Sequence, residues 1–84
     1  MFNIEWTEDA LRDLDKIERQ IVHRILKKTL WLSMHFHDVI PECLSGDLKG
    51  AFKLRVGDWR LIYTVDDNST LVIQAVGHRR DIYR

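Results

Sequence analysis

The dipeptide Gly57-Asp58 constrains this chain more than any other feature of it. It is a two-residue turn signal between two alternating stretches, Phe52-Lys53-Leu54-Arg55-Val56 and residues 59–65, and so short a hairpin loop leaves the strands no choice of register. Val56 is predicted to pair with Trp59, Arg55 with Arg60, Leu54 with Leu61 and Lys53 with Ile62. Side chains alternate between faces, so Phe52, Leu54, Val56, Trp59, Leu61 and Tyr63 share one side while Lys53, Arg55 and Arg60 share the other. The apolar side is a core face that needs a cover. The polar side sets two arginines directly opposite one another, which costs up to about 1 kcal/mol of cross-strand stability. An anion held between them explains the pairing, because the planar guanidinium fork suits phosphate. A solvated face of ordinary surface charge is the competing explanation.

The cover comes from the other half of the chain. Residues 2–6 alternate, with Phe2, Ile4 and Trp6 on one side, and read as a short strand. Thr7, followed by Glu8 and Asp9, is a helix start: a hydroxyl cap with acids in the first turn. Apolar residues then recur at helical spacing through Ala10, Leu11, Leu14, Ile17, Ile21, Val22, Ile25, Leu26, Leu30 and Trp31, with no Gly or Pro among them. One helix over residues 7–33 would run about 40 Å, whereas a domain of this size has a radius of gyration of about 12 Å. Two helices folded back as a hairpin, broken near residues 18–20, resolve the conflict. Residues 34–51 are irregular, punctuated by Pro41, Gly46 and Gly50. Asp66-Asp67-Asn68-Ser69 marks a second turn, and residues 70–76 a further strand. The order β-α-α-β-β-β describes an α+β fold in which an N-terminal strand and a two-helix hairpin pack on a small antiparallel β-sheet. The 84 residues make one domain, residues 1–84. A core of that size supplies roughly 3–5 kcal/mol net and commonly gains from a partner.

Thirteen Lys and Arg balance thirteen Asp and Glu, and a net charge of zero counts against an indiscriminate nucleic-acid binder. The distribution says otherwise. Residues 1–43 hold six cations and eight anions, and residues 44–84 hold seven and five. The closing run Gly77-His78-Arg79-Arg80-Asp81-Ile82-Tyr83-Arg84 interleaves cations with an aromatic ring, the pairing by which single-stranded RNA is held, guanidinium on phosphate and ring on base. The alternative is a solvated tail with Tyr83 packed on the sheet edge. Forty-five per cent hydrophobic residues with four Gly and one Pro argue against disorder.

Other features narrow the setting. The single cysteine, Cys43, rules out an intramolecular disulfide and points to a reducing cytoplasm, and it is expected as a small buried thiol. No apolar run approaches the roughly 18–20 residues that span a bilayer, and the first five residues lack a secretory pattern. A cytoplasmic protein without membrane attachment is expected. His35-Phe36-His37, with Asp38 and Cys43 nearby, lacks metal-ligand spacing, so no metal and no cofactor are expected. His23 belongs to a polar helix face, the charges over residues 12–19 to a solvated one, and Trp6, Trp31 and Trp59 to the core.

The stretch Leu44-Ser45-Gly46-Asp47-Leu48-Lys49-Gly50-Ala51-Phe52-Lys53-Leu54-Arg55-Val56-Gly57-Asp58-Trp59-Arg60-Leu61-Ile62-Tyr63 resembles the central motif of the RelE/ParE superfamily of bacterial toxins, and Val76-Gly77-His78-Arg79-Arg80-Asp81-Ile82-Tyr83 resembles its closing motif. The resemblance covers essentially the whole chain and implies that family's microbial-RNase-type fold. Its RelE-like branch implies a type II toxin that enters the ribosomal A site and cuts messenger RNA there without a metal. A cognate antitoxin would hold it inactive in a hetero-oligomeric complex, displacing its C-terminal element. Matched residue by residue, Lys53 falls on a strand lysine linked to proton transfer, and Arg55 and Arg60 on phosphate-binding arginines. Arg79 falls on an arginine serving the leaving group or phosphate, and Tyr83 on an aromatic that stacks on a base. His78 stands where other members carry Lys or His, and Arg80 adds a further phosphate-binding cation. Where that branch has another basic residue just before the Lys53 strand, Gly50-Ala51 offers none. Attack by a 2′-OH on the adjacent phosphate needs a base, an acid at the 5′ oxygen and positive charge where negative charge develops. Two other readings stand beside this one: a ParE-like toxin that binds DNA gyrase on the same fold, and a non-catalytic module whose basic sheet docks an acidic partner.

Overall fold

A computed structural model of the chain describes residues 2–43 and 50–82. The first six residues of the central motif, 44–49, and the predicted site residue Tyr83 lie outside them. β1 (Asn3–Trp6) leads into α1 (Glu8–Asp15) and α2 (Arg19–His35), followed by a 3-10 turn (Phe36–Asp38), β2 (Glu42–Cys43), β3 (Ala51–Val56), β4 (Trp59–Val65) and β5 (Thr70–His78). The α+β class and the strand–two-helix–sheet order are those expected, and the radius of gyration is 12.0 Å.

The helical hairpin forms for local reasons. The Thr7 hydroxyl accepts from the Ala10 amide at 3.1 Å, capping α1 as expected. The break falls at residues 16–18, slightly before the expected residues 18–20. There Ile17 turns inward against the core, and Glu18 already serves as the N-cap of α2. α2 buries Ile25, Thr29, Leu32 and Ser33, an i, i+4, i+7, i+8 stripe. The two hydroxyls in that stripe bond back to helix carbonyls, Thr29 to Ile25 and Ser33 to Leu30, both at 2.7 Å. The helix continues to His35, into what the sequence presented as irregular.

The five strands lie in the order β1-β5-β4-β3-β2. β3 and β4 pair in the register the two-residue turn demands: Val56 with Trp59, Arg55 with Arg60, Leu54 with Leu61 and Lys53 with Ile62. The apolar face of this hairpin is the core face, with Val56, Leu61 and Tyr63 buried and Phe52, Leu54 and Trp59 packed against them. Leu71, Ile73 and Val76 of β5 and Ala10, Ile25 and Leu32 of the helices complete that core.

The sheet is mixed, not antiparallel. β1 runs parallel to β5, Asn3 beside Thr70 through Trp6 beside Ile73. This pairing joins segments nearly seventy positions apart, and no local pattern encodes its direction. The parallel course lets α1 guard the β5 edge that β1 leaves open. The Thr7 amide donates to Ile73 O, the Thr7 hydroxyl to Gln74 O, and the Val76 amide to Asp13 Oδ2 at 2.9 Å. Asp13, expected on a solvated helix face, is thus a structural acceptor. β2 pairs Glu42 with Lys53 and Cys43 with Phe52 and forms the opposite edge. Cys43 is exposed there, not buried. Trp31, expected in the core, is 40% exposed, and Leu26, Leu30 and Met34 of the same helix are exposed as well. No helix among the described residues is long and apolar enough to cross a membrane.

Candidate functional site

The polar face of the β3–β4 hairpin and the segment after β5 hold the cations the sequence singled out. They fall into two groups. At the β2 edge, Lys53 Nζ and Arg55 Nη2 each lie 3.6 Å from the same carboxylate oxygen, Oε2 of Glu42. At the hairpin tip, Arg60 and Arg79 gather around the Gly57-Asp58 turn. Arg60 Nη1 donates to Gly57 O at 2.8 Å and to Trp59 O at 2.9 Å. The Arg79 amide donates to Asp58 O at 2.8 Å, and its Nε lies 3.5 Å from Asp58 Oδ1.

Arg55 and Arg60 are paired across the strands as expected, and each also has an acceptor within the protein. Their guanidinium groups diverge, Arg55 toward the carboxylate of Glu42 and Arg60 toward the carbonyls of the turn. Each finds an acceptor of its own, which relieves the like-charge contact. Arg60 still has further donors, since only one of its nitrogens is engaged in these bonds.

Two acids at the site, Glu42 and Asp58, were missed by the sequence reading. Asp58 was visible as a turn residue, and its reach to Arg79 follows once β5 lies beside β4. Glu42 had no such signal, because a two-residue strand leaves no alternation to detect.

His78 is set apart from the cation face. It pairs with Trp59, whose side faces the core, and its ring meets the indole edge-on at 5.4 Å. The Arg80 amide donates to His78 Nδ1 at 3.2 Å, which leaves Nε2 as the ring nitrogen that carries the proton when the ring is neutral. Arg80 itself is exposed on the turn after β5. That turn closes by bonds from the Asp81 and Ile82 amides to His78 O, at 2.9 and 3.0 Å. It folds Ile82 over Gly77, where a Cβ would meet Ile82 Cδ1 at 3.0 Å. Gly77 is the partner of Arg60, so the C-terminal turn packs Ile82 closely over the strand position opposite Arg60.

The arrangement offers guanidinium and ammonium groups to an anion along one side of the hairpin, with Arg55 and Arg79 more than half exposed and Lys53 a quarter exposed. Such a face can bind phosphate and stabilise negative charge as it develops. Among the described residues no group of three His, Cys, Asp or Glu is placed to hold a metal ion.

Comparison with known proteins gives the chain a family. Residues 4–83 match the family described as the ParE toxin of the type II toxin–antitoxin system parDE. The chain is 33% identical to Toxin RelG of Mycobacterium tuberculosis over 84 residues, spanning 99% of this chain and 97% of that protein. Its fold superposes on a chain in the RelBE2 toxin–antitoxin complex from Mycobacterium tuberculosis with a TM-score of 0.82 and 34% identity, covering 93% of this chain and 98% of that one. The isolated RelE toxin of E. coli shares the fold at a TM-score of 0.77 and 18% identity, over 99% of this chain and 92% of that one. By sequence and by fold, the chain belongs to the RelE/ParE superfamily, the toxins of type II toxin–antitoxin systems.

Proposed function

We propose that this toxin is a ribosome-dependent endoribonuclease that cuts messenger RNA in the A site and is neutralised by a cognate antitoxin. The observation that carries the reading is the gathering of Arg60 and Arg79 on one hairpin turn, beside Lys53 and Arg55 on the same hairpin. In the proposed reaction the 2′-oxygen attacks the adjacent phosphorus as its proton leaves. A P–O2′ bond forms, the P–O5′ bond breaks, and the 5′ oxygen takes up a proton, giving a 2′,3′-cyclic phosphate and a free 5′-hydroxyl. Arg55 and Arg60 bind the phosphate, Arg79 meets charge on the leaving oxygen, Lys53 moves a proton, and Arg80 holds a flanking phosphate. Tyr83 stacks on a base, and His78 takes its part only if the C-terminal turn rearranges on RNA. Lysine and arginine side chains are poorly matched to proton transfer at neutral pH, because their cations give up a proton only in strongly basic solution. Orientation by the ribosome and electrostatic stabilisation therefore supply most of the rate.

The likeness to a toxin solved within a toxin–antitoxin complex supports an antitoxin partner here as well. The match to a family named for ParE keeps a second reading in view, gyrase binding without RNA cleavage. A translation extract programmed with a defined message separates them. Cuts in codon register that require ribosomes are expected. DNA damage with intact message would give the gyrase reading instead, and neither effect would leave a non-catalytic binding module.

A further inference from the structure

A second basic surface lies beside the candidate site, on the helical side. An open groove of about 520 Å³ runs between α2 and the tip of β3. Arg24, Lys27, Lys28 and Trp31 line it from the helix, and Arg55 and Gly57 from the hairpin. Among the described residues β2 pairs only with Phe52 and Lys53, and Arg55, Val56 and Gly57 beyond them line this groove. Its cations are not spent on the fold: among the described residues the ion pairs involve neither Arg24, Lys27 nor Lys28. Lys28 instead rests its ammonium 4.3 Å from the centre of the Trp31 ring, leaving a partly exposed indole in a cationic wall.

The groove is continuous with the candidate site. Arg55 belongs to both. Gly57, in the left-handed region at φ +61°, has the Arg24 guanidinium so near that a Cβ there would lie 2.9 Å from Arg24 Nη2. The same glycine's carbonyl accepts from Arg60. One turn residue is therefore flanked by a guanidinium from the helix and by one from the cleavage face.

We propose that this groove carries the strand of substrate RNA beyond the cleaved phosphate, with Arg24, Lys27 and Lys28 on its phosphates. The inference rests on the nuclease reading above and extends it from a single phosphate to a track. Uncompensated cations joined to a phosphate-binding face, with one aromatic among them, match the chemistry of a single strand. An acidic protein segment would use the same charges, and the test must tell the two apart.

The test measures binding of the full-length toxin to a labelled, uncleavable 2′-O-methyl RNA dodecamer and to the matching trinucleotide, across a salt series. Lys27→Ala/Lys28→Ala should bind the dodecamer about tenfold more weakly at low salt, with the slope of log affinity against log salt flatter by about 1.4, some 0.7 for each lost phosphate contact. Trinucleotide binding should not change. Lys27→Arg/Lys28→Arg should restore wild-type behaviour, because the role is charge and not packing on Trp31. Equal affinities and slopes for wild type and the alanine variant would overturn the proposal. So would intact RNA binding combined with lost capture by the antitoxin, which would assign the groove to the protein partner. Dodecamer binding with the expected profile by a toxin that never cuts ribosome-bound message would sink the nuclease reading and with it the substrate track, leaving the groove as an RNA-binding surface alone. Cutting by a toxin whose alanine variant binds unchanged would sink the track and leave the nuclease reading standing.

Discussion

Glu42 is the residue that most changes how the site reads. Its carboxylate stands against Lys53 and Arg55 where a substrate phosphate is expected to sit, so RNA has to displace it. Half-exposed ion pairs of this kind contribute little, about 0.2–1 kcal/mol. Glu42→Gln should therefore tighten binding of uncleavable RNA by about 1.5- to 5-fold. Weaker binding would show that Glu42 positions the cations instead of competing for them. Tyr63 illustrates a different consequence of burial. Burial pushes its phenol above the ordinary value, with the nearby Cys43 adding a smaller push in the same direction. The folded chain then keeps a proton that the unfolded chain loses near pH 10, so stability is full below about pH 10 and declines as pH rises past it. Tyr63→Phe should remove this part of the decline, seen as a flatter dependence of the urea midpoint on pH above 10. Parallel curves for the two proteins would contradict it. At this scale the sequence placed Lys53, Arg55 and Arg60 on one face of the hairpin but did not reveal their partners. Arg55 and Arg60 were placed opposite by the turn, yet their divergence depends on Glu42 and on the Gly57 carbonyl, neither of which a pattern of alternation reveals.

Among the elements, those defined by neighbours in the chain were legible and those defined by distant pairing were not. The Gly57-Asp58 hairpin was readable to the residue, because a two-residue loop transmits register directly along both strands. The cap at Thr7 was equally local. The parallel course of β1, the two-residue β2 and the service of Asp13 to β5 all arise from contacts across the whole chain. Asp13 carries a measurable consequence. Its carboxylate is the acceptor for the Val76 amide on the edge of β5 beyond β1. Asp13→Leu leaves that amide without an acceptor and should cost about 1–3 kcal/mol in urea unfolding, whereas Asp13→Asn keeps an acceptor oxygen and should cost less. Equal losses from the two variants would mean that charge, not hydrogen bonding, ties α1 to the sheet. α2 also reads differently in three dimensions. Its apolar residues recur at helical spacing, yet Leu26, Leu30 and Trp31 are exposed, because a helix lying on one sheet buries only one side.

For the whole molecule, a zero net charge conceals a directional one. The acidic half supplies most of the helices and the basic half a hairpin whose cations line one side, continued by Arg24, Lys27 and Lys28 across the groove. Small size has its own consequence, because Leu61 sits fully buried in a core with little stability to spare. Leu61→Ala should cost about 2–5 kcal/mol, against the roughly 3–5 kcal/mol such a core provides. The free variant is then expected to be largely unfolded by circular dichroism, yet folded when mixed with the antitoxin, since a partner that binds only the native state stabilises it. A free variant as stable as wild type would show that the core is larger than its length implies. The central claim, that the cations of the hairpin perform RNA cleavage, is tested most directly by primer extension on a defined message in translating ribosomes, comparing wild type with Arg60→Ala. Wild type should cut in codon register, and the variant should cut about 10²- to 10³-fold more slowly, the loss expected when a group stabilising transition-state charge is removed. Equal cutting by the two proteins would contradict the site assigned here.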